Sequence, residues 1–376
     1  MAIVGVAESD LGLVAAGMTP VDLMAQAVGR ALVDAGLELA DVDGLCAAAA
    51  QLLMPTAALS AYLGISPRFV DATSVGGASF ESHVASAEAA IAAGRCETVV
   101  IAYGSTRRST RGSGGLPSDT DPYEGPYRPV APFTQYALAA SRHMHEFGTT
   151  REHLAAVAVS ARRWAQLNPK AFNREPLTID DVLAARMMSY PLTVRDSCLL
   201  TDGGGAVVLT SAERARSLRK PPVHVLGTGQ AVTHMGIAGM PDLTVTGAAE
   251  SGRQAYEAAG LGPADVDVVE VYDAFTINTL LFLEDLGFCA KGEAGPLVAS
   301  GAIDPGGTLP VNTNGGGLSY CHPGMYGIFL LIEAARQVRG EAGDRQVAGA
   351  EVALAHGNGG FLSAQSTVIL GAASTI

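Results

Sequence analysis

Charged side chains are scarce in this sequence. Asp, Glu, Lys and Arg together make up 16% of its 376 residues, whereas hydrophobic residues make up 48%. Acidic residues outnumber basic ones and give a formal net charge of -13, which argues against a nucleic-acid partner because Lys and Arg neutralise phosphates. The apolar excess instead predicts a large buried core or a large subunit interface.

Long apolar runs are missing as well. No stretch approaches the roughly 20 apolar residues needed to cross a bilayer, so we expect no membrane span. Residues 1–10 are typical of a strand and lack the basic and apolar regions of a secretory signal. These features predict a cytoplasmic protein.

Cysteine supplies neither a disulfide framework nor a zinc site. The cysteines are odd in number, and no two of them have CxxC spacing. They are Cys46, Cys96, Cys198, Cys289 and Cys321. A GxGxxG motif after a strand is missing too, which argues against a dinucleotide. We therefore expect reduced thiols, no metal site and no covalently bound cofactor.

The chain contains an internal repeat. Residues 31–45 read ALVDAGLELADVDGL, and residues 255–269 read AYEAAGLGPADVDVV. Each copy predicts a helix that ends at a glycine, followed by a short turn and an apolar strand. The copies are much farther apart than the roughly 20–50 residues of a solenoid repeat. They indicate two tandem domains of one fold, which we place at 1–220 and 221–376.

Each half also contains a glycine-rich loop that opens a helix. These Gly-Gly-x-Ser loops stand at 76–79 and 316–319, and a second glycine and a strand follow each helix. The two strands are predicted at 97–104 and 350–357. Alternating strands and helices predict the α/β class with parallel or mixed sheets.

An insertion interrupts the N-terminal half at about 105–195. Its first part, 105–132, is rich in Gly, Pro, Ser and charge, which predicts a loop. Helices are predicted over 134–167 and 176–188, with a helix start signal at 149–152. An insertion of this size is a usual place for a cap that covers the substrate.

Five motifs, taken together and in order, resemble the thiolase superfamily, in particular the sterol-carrier-protein-type thiolases and the bacterial lipid-transfer proteins. They are Gly-Gly-Ala-Ser at 76–79, TDGGGAVVLTSAERA at 201–215, VYDAF at 271–275, NGGGLSYCHPGMYG at 314–327 and AHGNGG at 355–360. The resemblance covers nearly the whole chain. It implies a five-layered α-β-α-β-α fold made of two tandem repeats of mixed sheet with helices. It also implies a homodimer with the strand at 97–104 near the two-fold axis.

The sequence departs from this family at the nucleophile. A thiolase carries a cysteine just before the first glycine-rich helix start, and its thiolate takes the acyl group. Here the segment reads ATSVGGASF, so Thr73, Ser74 or Val75 occupies that position, depending on the register. The family's second catalytic cysteine falls on His356 or Ala355. The resemblance therefore implies chemistry on a CoA thioester without an acyl-enzyme.

The resemblance implies four candidate catalytic residues. Tyr272 replaces the Asn or His of the family's NEAF or HDCF motif, and His322 is the histidine of its GHP motif. Tyr326 stands where a small residue is usual, and His356 takes the second cysteine position. We expect Tyr272 to transfer a proton with Tyr326 or His356 as its counterpart, and His322 to bind the thioester oxygen. Asp273 is expected to cap the following helix. The candidate substrate-binding residues are Thr73, Val75, Tyr320, Cys321 and Gly357.

The function that the resemblance implies is retro-aldol cleavage of a β-hydroxyacyl-CoA. The CoA thioester would be the substrate, with a steroid or other bulky side chain. The resemblance also implies an OB-fold/zinc-ribbon accessory protein that binds acyl-CoA, because Arg107, Arg108 and Arg111 form the only basic cluster near the expected site. Two alternatives remain open: an acetyl-CoA acyltransferase or thiolase with another nucleophile, and a non-catalytic acyl-CoA or lipid-binding subunit.

Overall fold

The computed structural model describes residues 1–110 and 124–376. The strands are β1 (Ala2–Glu8), β2 (Gly44–Ala47), β3 (Phe69–Asp71), β4 (Thr98–Ser105), β5 (Met187–Ser189), β6 (Leu192–Thr193), β7 (Gly203–Thr210), β8 (Val223–Val232), β9 (Val268–Val271), β10 (Val352–Gly359) and β11 (Ala364–Gly371). The α-helices are α1 (Pro20–Ala35), α2 (Pro55–Leu63), α3 (Ser79–Ala92), α4 (Phe133–Phe147), α5 (Arg151–Leu167), α6 (Ile179–Leu183), α7 (Ala212–Ala215), α8 (Ala248–Ala259), α9 (Thr276–Asp285), α10 (Ala294–Ala299) and α11 (Gly327–Arg339). Within these described ranges, every helix is too short or too polar to cross a membrane.

Nine strands form one mixed sheet in the order β3-β2-β4-β7-β1-β8-β11-β10-β9. The first five strands belong to the N-terminal repeat and the last four to the C-terminal repeat. The two groups join through β1 and β8, which share only two residue pairs, Ala2 with His224 and Ile3 with Val223. Strands β5 and β6 pair separately within the insertion.

Helices α3 and α11 lie between the two halves of the sheet. Both contact strands of the N-terminal repeat and strands of the C-terminal repeat. The first nine residues of α11 are all buried, which is typical of a helix enclosed on every side. Helix α1 covers the outer face of the N-terminal strands and α8 the outer face of the C-terminal strands. The predicted α-β-α-β-α layering is therefore confirmed.

The glycine and threonine signals end and begin helices as predicted. Gly36 and Gly260 end α1 and α8 with φ of 71° and 67°, a left-handed conformation that glycine adopts without steric cost. Thr150 accepts a hydrogen bond from the His153 N–H and begins α5. Gly148 ends α4, so the stretch predicted over 134–167 is two helices.

The second helix predicted in the insertion is wrong over most of its length. Helix α6 covers only Ile179–Leu183, and strand β5 begins at Met187. The two short strands turn the chain back towards the sheet, which brings Cys198 beside Ala274 through a backbone hydrogen bond of 2.8 Å.

Strand β4 is an interior strand of the sheet. It is hydrogen-bonded to β2 on one side and to β7 on the other. The predicted position of this strand near a two-fold axis concerns contacts between subunits and stays a prediction. The free edge of this repeat is β3, where Val70 is 56% exposed. The homodimer itself stays a prediction.

Candidate active site

A cavity of about 500 Å³ opens where several parts of the chain meet. Its walls come from the segment after β2, the turn before α3, the loops after β9 and before α11, the end of β10, and helix α4 of the insertion. Its polar lining side chains are Ser74, Tyr136, Cys198, Tyr272, His322 and Asn358. Two of the four predicted catalytic residues, Tyr272 and His322, therefore lie together in one pocket.

Tyr272 and His322 form a hydrogen-bonded pair. The Tyr272 hydroxyl lies 2.9 Å from Nε2 of His322, and the two rings are nearly perpendicular with centroids 5.6 Å apart. Their exposed fractions are 4% and 9%. The pair can therefore pass a proton while it faces the cavity.

The position of Tyr272 follows from strand β9 and from a glycine. Its backbone N–H donates to the His356 carbonyl at 3.0 Å, which continues the parallel pairing of β9 with β10. Its ring then packs against Gly77. A Cβ at position 77 would lie 2.2 Å from Cε2 of Tyr272, so only glycine leaves room for the ring.

The loop that carries His322 is held by Asp273. One carboxylate oxygen of Asp273 accepts from the Gly317 N–H at 2.6 Å and the other from the Leu318 N–H at 3.3 Å. The prediction that Asp273 caps the next helix is therefore wrong, because its carboxylate is turned to the N–H groups of the π-helical turn at Gly316–Tyr320. The His322 N–H donates to the Thr201 hydroxyl at 3.0 Å, which fixes the end of that loop.

Burial sets the charge state of the pair. It lowers the pKa of His322 to about 4, so the imidazole is neutral near pH 7. Burial also raises the pKa of Tyr272 well above 10, and Cys198 and Tyr136 add to that rise. The resting pair is a neutral phenol beside a neutral imidazole.

Tyr326 supports this pair from behind. Its ring centroid lies 5.7 Å from that of Tyr272 and 6.1 Å from that of His322. Its hydroxyl donates to Oδ1 of Asn314 at 2.8 Å, and its side chain is fully buried. The structure thus brings Tyr326 to the rings of the pair and gives its hydroxyl another partner.

His356 lies in the sheet and does not line the cavity. Its Nδ1 is 2.9 Å from Oγ1 of Thr367, and its Nε2 is 3.0 Å from Oε1 of Gln365. Burial lowers the pKa of His356 to about 3. Both ring nitrogens of this neutral histidine are occupied by side chains of β11.

Thr73 and Val75 flank the cavity without lining it. The Thr73 hydroxyl donates to Oδ1 of Asp71 at 2.7 Å, and the Val75 N–H donates to the Ser79 hydroxyl at 3.0 Å. Ser74, between them, does face the cavity. The segment at the family's nucleophile position therefore does reach the cavity, but it does so through Ser74 and not through Thr73 or Val75.

Tyr320, Cys321 and Gly357 are buried behind the walls. The Tyr320 hydroxyl donates to Oε1 of Glu8 at 2.9 Å, and the Cys321 side chain is fully buried. Gly357 packs against Glu81, whose Oε2 would lie 2.3 Å from a Cβ at that position. The structure does not bring these three residues to the cavity.

Three polar lining residues were missed from the sequence: Tyr136, Cys198 and Asn358. Tyr136 comes from the insertion, where composition indicated a cap but not which side chain faces inward. Asn358 belongs to the AHGNGG motif, in which only His356 was predicted to be catalytic. Burial raises the pKa of Cys198, so its sulfur stays protonated rather than becoming a thiolate.

The cleft continues past His322. A second cavity of about 480 Å³ shares Cys198, Phe275 and His322 with the first and extends to Arg107. The first cavity is also lined by apolar residues that include Leu53, which is 93% exposed. His322 therefore lines both a mainly apolar cavity and a cavity with a cationic side chain.

The C-terminal half matches the family described as thiolase C-terminal domain-like, over residues 229–372. The chain is 37% identical over 377 residues to the 17-hydroxy-3-oxo-4-pregnene-20-carboxyl-CoA lyase of Mycobacterium tuberculosis, with 94% of this chain and 95% of the lyase covered. It is 36% identical over 348 residues to the steroid side-chain-cleaving aldolase of Thermomonospora curvata, with 86% of each covered.

A solved structure of an Ltp2-ChsH2(DUF35) aldolase is similar throughout. It superposes with a TM-score of 0.92 at 34% sequence identity, and the match covers 99% of this chain and 97% of that chain. Both the arrangement of layers and the site loops therefore lie within the superposed region.

Proposed function

The chain belongs to the thiolase superfamily, and from this membership we propose that it cleaves a carbon–carbon bond in a β-hydroxyacyl-CoA thioester by a retro-aldol reaction. The Tyr272–His322 hydrogen bond carries the proposal. It supplies two proton-transfer groups in a pocket whose thiolase nucleophile position holds no cysteine.

The proposed reaction begins with the substrate hydroxyl. Its proton passes to the Tyr272 oxygen while the phenolic proton passes to Nε2 of His322. The Cα–Cβ bond then breaks: the oxygen electron pair forms a carbonyl at Cβ, and the bonding pair goes to Cα as a thioester enolate. The imidazolium returns its proton to Cα through Tyr272, which releases a ketone or aldehyde and a shortened acyl-CoA.

The relay provides a route that avoids a free phenolate at a buried phenol. Alone, Tyr272 would be a poor base, because burial raises its pKa well above 10. A neutral His322 at 2.9 Å accepts the phenolic proton as the substrate proton arrives, so no free phenolate forms. In this scheme His322 is the proton acceptor rather than the ligand of the thioester oxygen, and Tyr326 and His356 are not acids or bases.

The thioester oxygen would meet backbone N–H groups. Gly76 and Gly77 line the cavity at the turn that leads into α3. The first N–H groups of a helical segment have no intrahelical acceptor and favour negative charge. Oriented donors of this kind stabilise the oxygen as it becomes an enolate.

The substrate class follows from the lining of the two cavities. The apolar lining of the first cavity suits a steroid or other bulky acyl group, and the names of the two lyase and aldolase relatives agree with that choice. Arg107, which lines the second cavity, suits the CoA moiety, whose phosphates Arg commonly binds. Arg111, predicted in the same cluster, lies outside the described residues.

Two partners belong to the proposal. The first is an OB-fold/zinc-ribbon acyl-CoA-binding protein, because the solved relative is a complex with a DUF35 subunit. Full turnover by the isolated chain would show that this partner is unnecessary. The second is another copy of the chain, and a stable monomer at micromolar concentration in sedimentation would exclude the homodimer.

Two other functions are less well supported. A thiolase or acyltransferase that used a cysteine nucleophile in this cavity would need Cys198, and burial keeps that thiol protonated. A non-catalytic binding subunit has no need of a neutral phenol–imidazole pair at 2.9 Å in its pocket.

Mass spectrometry of the products tests the proposal. The protein, alone and with the acyl-CoA-binding partner, is mixed with 17-hydroxy-3-oxo-4-pregnene-20-carboxyl-CoA and with smaller β-hydroxyacyl-CoA compounds. We expect a carbonyl product and a shortened acyl-CoA in equal amounts, with no mass added to the protein. Transfer of an acyl group to free CoA, with an acylated protein, would refute it.

A further inference from the structure

A continuous chain of buried hydrogen bonds runs from the sheet to the cavity wall. His356 Nε2 lies 3.0 Å from Oε1 of Gln365, and Gln365 Nε2 donates to Oδ1 of Asn358 at 2.9 Å. Asn358 Nδ2 donates to the Tyr136 hydroxyl at 3.1 Å, and that hydroxyl donates to the Gly360 carbonyl at 2.9 Å. All four side chains are at most 3% exposed.

The direction of this chain is set at the Gly360 end. A carbonyl oxygen only accepts, so the single proton of the Tyr136 hydroxyl is directed to Gly360 and its oxygen must accept from Asn358. Asn358 Oδ1 must then accept from Gln365, and Gln365 Oε1 from the Nε2–H of His356. Thr367 completes the order by donating to Nδ1 of His356.

This order fixes which end of the Asn358 amide faces the cavity side. Its oxygen is directed to Gln365, and its nitrogen is directed to Tyr136, which lines the cavity together with Asn358 and Tyr272. The amide nitrogen has two hydrogens, and the bond to Tyr136 uses one. The other is available to a ligand, because Asn358 lines the pocket that also holds Tyr272.

The Tyr136 ring is itself held in place. It stacks on Phe275 with centroids 4.5 Å apart, and its hydroxyl is held between the Asn358 amide and the Gly360 carbonyl. The insertion therefore contributes a fixed hydroxyl to the cavity wall.

We propose that Asn358 recognises the β-oxygen of the acyl group by donating its free amide N–H, and that Tyr136, Gln365 and His356 are positioning residues that hold this amide in one orientation. The inference rests on the proposed function and deepens it. A donor on the β-oxygen leaves the hydroxyl proton free for Tyr272 and stabilises the oxygen as that proton departs. It also gives buried His356 a purpose away from the cavity.

Binding of uncleavable ligands tests the inference separately from turnover. The ligands are two CoA thioethers with the same branched chain, one with the β-hydroxyl and one without, and neither can form an enolate. We expect the wild-type protein to bind the hydroxylated compound about tenfold more tightly. Asn358→Ala and Gln365→Met should bring the two dissociation constants together by weakening only the hydroxylated compound.

Gln337→Met is the matched control, since Gln337 is an equally buried glutamine that donates to Thr313 away from the cavity. It should keep the tenfold preference. A wild-type protein without preference, or a Gln365→Met variant that keeps it, overturns the inference. A preserved preference in a protein that cleaves no β-hydroxyacyl-CoA would instead refute the lyase proposal and leave the recognition site standing.

Discussion

The ring of Tyr272 occupies the space that a side chain at position 77 would need. A Cβ on Gly77 would lie 2.2 Å from Cε2 of Tyr272 and 2.6 Å from the Asn358 carbonyl oxygen. Gly77, just before the central helix α3, and Tyr272, just after β9, are therefore complementary in shape. A change in either one alters the position of the phenol next to His322.

Gly77→Ala tests this match. The added methyl cannot avoid both the ring and the backbone oxygen, so we expect the variant to lose roughly 1–3 kcal/mol of stability and most of its turnover as Tyr272 shifts. Gly29→Ala is the control, because its Cβ would meet nothing within 4 Å in α1. Steady-state rates and denaturant unfolding measure both effects. Unchanged turnover in Gly77→Ala would show that the phenol position does not matter.

Tyr272→Phe should remove the proposed proton transfer. The ring and its packing remain, so folding should be nearly unchanged while kcat falls by roughly 10²–10⁴. Tyr256→Phe, which removes a hydroxyl bonded to the Leu286 carbonyl away from the cavity, should leave kcat alone. Adding Thr73→Cys should not rescue Tyr272→Phe, because the scheme has no acyl-enzyme. A variant that keeps most of the lyase activity would leave Tyr272 as a packing residue only.

The pH dependence should report the buried His322. Burial lowers its pKa to about 4 from an ordinary value of 6.5. The neutral form accepts the proton, so we expect kcat/KM to decline on the acid side near pH 4 rather than near 6.5. The stability linked to neutral His322 is fully present above pH 6.5 and is lost as the pH falls towards 4. An acid limb at pH 6.5 that vanishes in His322→Gln would contradict this scheme.

Glu81 should make the folded protein less stable as the pH rises. Its carboxyl lies between Gly327 and Gly357, neither oxygen has a hydrogen-bond partner among the residues described, and burial raises its pKa to about 8. A raised carboxyl pKa means that stability is lost as the pH rises from 4.5 through 8. Glu81→Gln keeps the shape without the charge. Its advantage in unfolding free energy over the wild type should grow by up to about 1.4 kcal/mol per pH unit across that range. An advantage that does not change with pH would mean that Glu81 is not protonated in the folded state.

Cys198→Ala separates the lyase from an acyltransferase. Burial keeps the Cys198 thiol protonated, so iodoacetamide should leave the lyase activity of the wild-type protein nearly unchanged. We expect Cys198→Ala to keep most of its lyase activity and to resist the reagent. Loss of activity in Cys198→Ala, together with an acyl adduct on the wild-type protein, would instead favour the acyltransferase.

Local chemistry was readable from the sequence. Gly36, Gly260 and Thr150 act through their own backbone preferences, so the ends of α1 and α8 and the start of α5 could be predicted without knowledge of distant contacts. The repeat and the ordered motifs then indicated the layered fold.

The absence of the family's nucleophilic cysteine could also be predicted, because it depends only on which residues occupy positions 73–75. That Tyr272 and His322 share one site was expected only because both lie in motifs that meet in the related fold. Their hydrogen bond was not expected, because Tyr326 or His356 was predicted as the proton-transfer counterpart of Tyr272.

Only the tertiary structure decided which polar side chains face the cavity. Tyr136 reaches the Gly360 carbonyl across 224 residues of sequence, and the stacking of its ring on Phe275 sets its direction. His356 has the residue type of a catalytic group, but the pairing of β10 with β11 places Thr367 and Gln365 against its two nitrogens. Such orientations depend on strand register and on the packing of one element against another. Neither the register nor the packing can be read from the neighbouring residues in the sequence. For this reason His356 was predicted to be a site residue, whereas Asn358, two residues later, was missed.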